Sequence, residues 1–327
     1  MIVAVDAAGG DHYPKAPVAG ALLAIKEDSN LTVLLLGPKD MIQKELEGKQ
    51  YDQNRVLIQD APQIIGMDES PSSAVKNKQQ SSIAIGMGLH KAGKCQAFVS
   101  AGNTGALLAA STFILGKLEG IHRPTIGAYY PTIKGFRLLI DAGANLEMKP
   151  EVAHQFAKMG QVYCKNILGI ESPTVGLLNV GEEDEKGTEA LKAIHKHIKE
   201  MPGFIGNVEG KDILSGKADV YLTDGLVGNI LLKFGESIPA TIMKLVERAI
   251  SKLDVEVEEV VAAQKILKTA LAPFNYERVG GVPFLGVNGV SVVGHGGSSP
   301  LAIKNMIKSA VSCINNDVNG KIVSSLN

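Results

Sequence analysis

The sequence predicts an α/β fold with a mostly parallel sheet covered by helices. Short runs rich in Val, Ile and Leu alternate along the chain with amphipathic helical patterns, which is typical of βα units. A polar loop carrying glycine follows these apolar runs, and glycine is enriched at 36 of 327 residues. The length and a hydrophobic content of 45% suffice for about two domains without disulfides or a structural metal.

The units follow one another in order along the chain. Strands are predicted at 2–5, 31–36, 97–100 and 137–140, followed by helices at 15–26, 39–46 and 106–115 and from residue 150. Further strands are predicted at 174–180, 220–223 and 290–293, each followed by a helix. Ligands of parallel sheets bind beyond the carboxyl ends of the strands, so the glycine loops are expected to share one functional edge.

Two segments depart from this alternation. Residues 50–90 are polar and predict a loop followed by a helix over the functional edge. Residues 236–272 predict a projecting helical hairpin with an acidic run at 254–259. Such a hairpin is expected to pack against a partner subunit.

Composition and motifs exclude several classes of protein. The 33 basic residues balance 34 acidic ones, which argues against a nucleic-acid binder. No apolar run is long enough to span a membrane, the first residues resemble a strand rather than a signal peptide, and the three cysteines are scattered. We therefore expect a cytoplasmic protein. No dinucleotide, nucleophile-elbow or zinc-protease motif occurs, and the near match to a phosphate loop at 88–95 ends in Cys95.

One loop combines the features of an anion site. It follows a predicted strand and opens a helix, so that backbone N–H groups and the positive helix end converge. Its candidate ligands for phosphate are Ser100, Gly102, Asn103, Thr104 and Gly105. The alternative is a plain strand-to-helix turn capped by Asn103 or Thr104.

Other polar residues follow other predicted strands. His295 lies between two glycines, and His12 lies two residues after a glycine pair; for both, acid–base or donor roles compete with a structural role. Lys186 could face an anionic substrate, or it could belong to a solvated helix start. The remaining candidates are His12, Asn145, Asn207, Asp224, Gly225, Asn229 and His295.

Seven motifs of these loops run in order from residue 3 to about 310. They are VAVDAAGGDH (3–12), FVSAGNTGA (98–106), LLNVGEE (177–183), FIGNVEG (204–210), DGLVGN (224–229) and GVNGV (286–290), with HG at 295–296. In these motifs the chain resembles the acyl carrier protein-dependent phosphate acyltransferases of bacterial phospholipid synthesis.

The resemblance implies a homodimer with an isocitrate/isopropylmalate-dehydrogenase-like architecture and no cofactor or metal. One α/β domain would comprise residues 1–135 and 285–327, and a second would comprise 136–284 including the hairpin. The implied reaction converts long-chain acyl–acyl carrier protein and inorganic phosphate into acyl phosphate, by direct attack of phosphate on the thioester. A membrane glycerol-3-phosphate acyltransferase would then consume the product.

Roles for individual residues follow as hypotheses. We expect 102–105 and Lys186 to hold phosphate, and His12, Asn229 or His295 to act at the thioester. The family's peripheral membrane contact is expected to be weak, because five basic and five acidic side chains cancel between residues 241 and 272. The apolar stripe there favours a dimer or hairpin core.

Three alternatives stay open at this point. A short-chain phosphotransacylase that uses coenzyme A would need the same phosphate site. A decarboxylating dehydrogenase would need paired aspartates, and no Asp-x-x-x-Asp occurs. A non-catalytic membrane scaffold would have no use for an anion site.

Overall fold

The strands form one continuous sheet. The computed structural model describes residues 1–253, 256–275, 277 and 280–326. Within them, eleven strands lie in the order β3-β2-β1-β4-β11-β10-β5-β6-β9-β7-β8. They are β1 (Ile2–Asp6), β2 (Thr32–Gly37), β3 (Val56–Asp60), β4 (Ala97–Ser100), β5 (Thr125–Thr132), β6 (Gly135–Ile140), β7 (Val175–Leu178), β8 (Phe204–Val208), β9 (Val220–Leu222), β10 (Val282–Leu285) and β11 (Val290–Val293).

Helices connect and cover these strands. Those before the hairpin are α1 (Lys15–Glu27), α2 (Lys39–Leu46), α3 (Pro71–Asn77), α4 (Ser82–Lys91), α5 (Thr104–Ala110), α6 (Pro150–Ile167), α7 (Glu189–Ile198) and α8 (Gly210–Ile213). The remaining ones are α9 (Gly225–Ile250), α10 (Val257–Ala270), α11 (Pro300–Asn315) and α12 (Val318–Leu326). A π-helical turn, Ser111–Leu115, continues α5.

The predicted mostly parallel sheet is confirmed, but its direction reverses in the middle. Strands β3, β2, β1, β4 and β11 are mutually parallel, and so are β6, β9, β7 and β8. Between the two sets, β10 is antiparallel to β11 and β5, and β5 is antiparallel to β6. The two sets of carboxyl ends therefore point to opposite edges. The expectation that all glycine loops share one edge is wrong, because β5 and β10, whose antiparallel pairing reverses the sheet, were not predicted. Strands β3 and β8 were not predicted either, but they are parallel to their neighbours.

Separate apolar cores support the two halves. Helices α1 and α11 pack on the first half through Val18, Ile303 and Met306. Helix α6 packs on the second half through Phe156 and Tyr163, together with Val318 and Ile322 of α12. The proposed division near residue 135 stays a prediction, since the sheet runs across it without a break.

The predicted helical segment forms two successive helices, α9 and α10. Their packing against each other as a hairpin stays a prediction. Helix α9 lies over β5 and β6 at its start and then extends beyond them. No described side chain of α10 is buried, so the apolar stripe expected there packs into no core within this chain. Of the acidic run at the tip, Asp254 lies outside the described residues. Among the described helices, none is both long enough and apolar enough to cross a bilayer.

Candidate active site

Three loops at the carboxyl ends of β1, β4 and β11 pack together. The Asp11 N–H donates to the Gly296 carbonyl oxygen at 2.7 Å, and the Gly294 N–H donates to the Ser100 carbonyl oxygen at 2.9 Å. We call residues 8–12, 100–105 and 294–298 the glycine-loop cluster. It unites the predicted candidates His12, His295 and 100–105 on one edge of the sheet.

A buried carboxylate lies beneath this cluster. Asp6, only 2% exposed, accepts hydrogen bonds from Ser100 Oγ at 2.6 Å and from the Ala8 N–H at 3.1 Å. Ser100 Oγ in turn accepts the Gly102 N–H at 2.9 Å. Burial raises the pKa of Asp6, while the bonds from Ser100, Ser82 and Ala8 lower it, and burial is the larger effect. Ser100 therefore links Asp6 to the loop at 100–105. Its assignment as a phosphate ligand stays a prediction.

Asn103 anchors a neighbouring segment. Its Oδ1 caps α5 by accepting the Ala106 N–H at 3.0 Å. Its Nδ2 lies 3.0–3.1 Å from the carbonyl oxygens of Gly66, Met67 and Glu69. The side chain thus ties residues 66–69 to the start of α5. A phosphate held here would contact the N–H groups of Thr104 and Gly105, which have no partner within the helix, and the exposed Thr104 side chain.

A second cluster surrounds the start of α9. Asp141, fully buried after β6, accepts the N–H groups of Gly143, Ala144 and Asn145 at 2.8–3.0 Å and Asn145 Nδ2 at 2.7 Å. The Asn145 carbonyl oxygen accepts the Gly225 N–H at 2.7 Å. Asp224 caps α9 through the Val227 N–H at 2.9 Å. The structure therefore brings three of the predicted candidates together at the first turn of α9, namely Asn145, Asp224 and Gly225.

One cavity of about 220 Å³ reaches both clusters. It lies between the start of α5 and α9, with β5 and β10 below. The predicted candidates Thr104, Asn229 and His295 all line it, and so does Lys233. Polar groups from both halves of the chain therefore face one largely apolar space, which is the usual construction of a small-molecule site.

Two predicted residues lie elsewhere. Lys186 is about half exposed in the loop after β7, where its Nζ is 3.9 Å from Glu183. Asn207, buried at the end of β8, donates to the Glu183 carbonyl oxygen at 2.8 Å. Neither lines the cavity. Their assignment to the phosphate site stays a prediction.

Sequence reasoning missed three residues of this region. Asp6 ends β1 and Asp141 directly follows β6, each just before a glycine loop, a position that indicates a carboxylate that accepts hydrogen bonds from loop N–H groups. Lys233 lies four residues after Asn229 on α9, so the two side chains share a helix face. That spacing could have indicated a cation beside the predicted amide.

The cysteines fit no nucleophilic role. All three are buried. Burial raises the pKa of Cys95 to about 11 and that of Cys164 and Cys313 to about 12. Such thiols stay protonated at neutral pH, so the prediction of chemistry without an enzyme thiolate is consistent with their environment.

The α/β fold and the clustered glycine loops are typical of enzymes that bind small molecules at loops after the strands. Comparison with known proteins specifies the family. A family model described as "Fatty acid synthesis protein" matches residues 1–321. A phosphate acyltransferase of Chlorobaculum parvum is 45% identical over 337 residues, covering 100% of this chain and 99% of that one. The chain belongs to this family. The predicted resemblance and the assignment as an acyltransferase are confirmed.

Solved structures share the fold at low identity. A phosphotransacetylase from Streptococcus pyogenes superposes with a TM-score of 0.62 at 13% identity, covering 95% of this chain and 93% of that one. A 4-hydroxythreonine-4-phosphate dehydrogenase from Klebsiella pneumoniae gives 0.54 at 12% identity, with 95% and 96% covered. The predicted dehydrogenase-like α/β architecture is confirmed by this agreement.

Proposed function

We propose that this chain transfers a long-chain acyl group from acyl carrier protein to inorganic phosphate, for phospholipid synthesis. The observation that carries the proposal is the single cavity lined by Thr104, Asn229 and His295. It joins a helix start suited to phosphate with amide and imidazole donors for the thioester. No metal or organic cofactor takes part in the proposed reaction.

The chemistry needs positioning more than a covalent intermediate. A phosphate oxygen attacks the thioester carbonyl carbon, the carbon–oxygen bond forms, and the carbon–sulfur bond breaks. The proton of hydrogen phosphate ends on the departing thiolate, which gives acyl phosphate and free carrier thiol. N–H groups at the start of α5 hold the phosphate, while Asn229 or His295 donates to the developing oxyanion. His12, exposed at the rim of the glycine-loop cluster, is the alternative proton carrier.

The direct test is formation of acyl phosphate by the purified chain. Palmitoyl–acyl carrier protein and phosphate are expected to give a product that hydroxylamine traps as the hydroxamate, with equimolar release of carrier thiol. Palmitoyl-coenzyme A and acetyl-coenzyme A serve as competing donors. Preference for acetyl-coenzyme A would favour a short-chain phosphotransacylase, and absence of any product would favour a scaffold.

A cation at the cavity distinguishes two arrangements of the phosphate site. Lys233→Ala is expected to raise the phosphate KM about tenfold or more, since a charged hydrogen bond is worth about 1.5–3 kcal/mol. The sequence-based assignment predicts a strong rise for Lys186→Ala as well. Initial rates at varied phosphate measure both. An unchanged KM removes the substituted lysine from the phosphate site.

We also propose that the chain works as a homodimer. Leu226, Ile230 and Phe234 are 54–63% exposed and recur every four residues on α9, which makes an unpartnered apolar face beside the cavity. Phe234→Asp is expected to convert the dimer to a monomer in light scattering after size exclusion. Lys244→Asp, farther along the same helix, is the charge control. A monomeric parent protein would contradict the proposal.

The remaining partners follow from the same function. The product would be passed to a membrane glycerol-3-phosphate acyltransferase, and the hairpin would make only weak peripheral contact with lipid. Exposed Val257 and Val261 of α10 supply apolar area for that contact, while the balanced charge gives no attraction to anionic lipid. Vesicle flotation measures it, and tight salt-resistant binding would contradict the proposed weakness.

A further inference from the structure

We infer that the floor of the cavity, between α5 and α9, is the binding site for the fatty acyl chain and limits its length. This inference rests on the proposed function and adds where the apolar part of the substrate lies. The cavity floor is built from β5 and its neighbours. Ala128 is 1% exposed, Ala142 4% and Ile126 5%.

The floor offers contact surface and little hydrogen bonding. Leu232 of α9, Val282 of β10 and Val293 of β11 add aliphatic walls. The hydroxyl of Tyr130 faces the Leu231 carbonyl oxygen at 3.5 Å, so it is directed to the protein. A ligand here gains by burying CH₂ groups, because removing apolar area from water is favourable.

The polar groups are confined to the rim. Thr104, Asn229, Lys233, Glu236 and His295 line the cavity, and all five side chains are exposed. A molecule with an anionic or thioester head and an apolar tail matches this distribution. A compact polar substrate would leave the apolar floor unused.

The length of the groove fits an extended tail. Residues from Ile126 to Pro131 of β5 line it, and five strand steps span about 17 Å. Helix α9 lines it in parallel from Asn229 to Glu236, about 10 Å of helix. Gly235, Gly280 and Gly281 also line the groove.

The register of the sheet shows which substitution would shorten the path. Ile126 is opposite Phe284 of β10, and Ala128 is opposite Leu139 of β6. Ala128 thus lies at the middle of the floor, between β10 and β6. A larger side chain there would divide the groove without altering a rim residue.

The experiment compares donors of different chain length in Ala128→Leu. We expect kcat/KM for palmitoyl–acyl carrier protein to fall about tenfold or more, while that for the octanoyl donor falls less than about threefold. Ala193→Leu, an exposed Ala-to-Leu change on α7, is the matched control and should keep the parent profile. An unchanged ratio of the two donors in folded Ala128→Leu overturns the inference.

Two further measurements separate failure of the inference from failure of the proposed function. Leu232→Phe narrows the same groove from α9 and replaces Ala128→Leu if that variant does not fold. Binding of cis-parinaric acid, followed by its fluorescence, reports on the groove without catalysis. If the parent chain makes no acyl phosphate but binds the probe, and Ala128→Leu weakens that binding, the lipid site is supported and the proposed function is contradicted. If the chain makes acyl phosphate and neither variant changes its preference for acyl-chain length, the proposed function is supported and the inference about the groove is contradicted.

Discussion

Gly228→Ala is expected to destabilise the protein by about 3 kcal/mol and to lower acyl phosphate formation at least tenfold. A Cβ atom at Gly228 would lie 1.8 Å from the Asp141 carbonyl oxygen and 3.1 Å from Thr223 Cγ2. The obstacle is backbone, so no rotamer change relieves it. The start of α9 would have to move away from β6, and Asn229 would leave the cavity with it.

Gly88→Ala is the matched control for this prediction. Gly88 is also inside a helix, α4, but an added Cβ would meet nothing within 4 Å. Alanine there is expected to stabilise the protein by about 0.5–1 kcal/mol through its higher helix propensity. Chemical denaturation measures both changes. Equal shifts of the two variants would show that the α9–β6 contact is not close-packed.

The sequence predicts the parallel strands of this fold better than the antiparallel ones. Strands 97–100 and 290–293 were placed correctly, because short, largely apolar runs directly before glycine loops are typical of buried parallel strands. Strand β5 has two tyrosines and a proline, Pro131, and lacks such a run. Strand β10 is only four residues long. These two strands reverse the sheet, so the direction of the second half could not be read from local pattern.

Because local pattern does not give the direction of the second half of the sheet, only part of the site could be predicted from the sequence. The loop 100–105 and His295 were found because each follows a parallel strand directly. Whether Asn229 would join them depended on where α9 lies, which is decided by the reversed half and by the close contact of Gly228 with Asp141. Lys186 was grouped with them on the assumption of one edge. Lys186 follows β7, which lies beyond β6 and β9 and is therefore farther from the cavity strands β5 and β10.

The second large effect is expected for Asp6→Ala. The substitution removes the acceptor of the Ser100 hydroxyl and of the Ala8 N–H, both buried. Leaving such donors unpaired costs about 1–3 kcal/mol each, so the free energy of unfolding should fall by about 3 kcal/mol. Ser100 Oγ also orients the Gly102 N–H. We therefore expect the phosphate KM to rise about tenfold, since the loop at 100–105, which we propose binds phosphate, loses its support.

Asp6→Asn separates support of the loop from the charge of the carboxylate. The amide keeps the shape and one acceptor oxygen, so most of the stability and phosphate affinity should return. Burial raises the pKa of Asp6, so the native state binds the proton more tightly than the unfolded chain. The parent protein should therefore gain stability over Asp6→Asn as pH falls from neutral through the folded pKa toward the ordinary value of 3.8. Thermal unfolding of both proteins across this range measures the difference. If the parent protein instead loses stability relative to Asp6→Asn as pH falls, the hydrogen bonds from Ser100, Ser82 and Ala8 outweigh burial and hold Asp6 ionised.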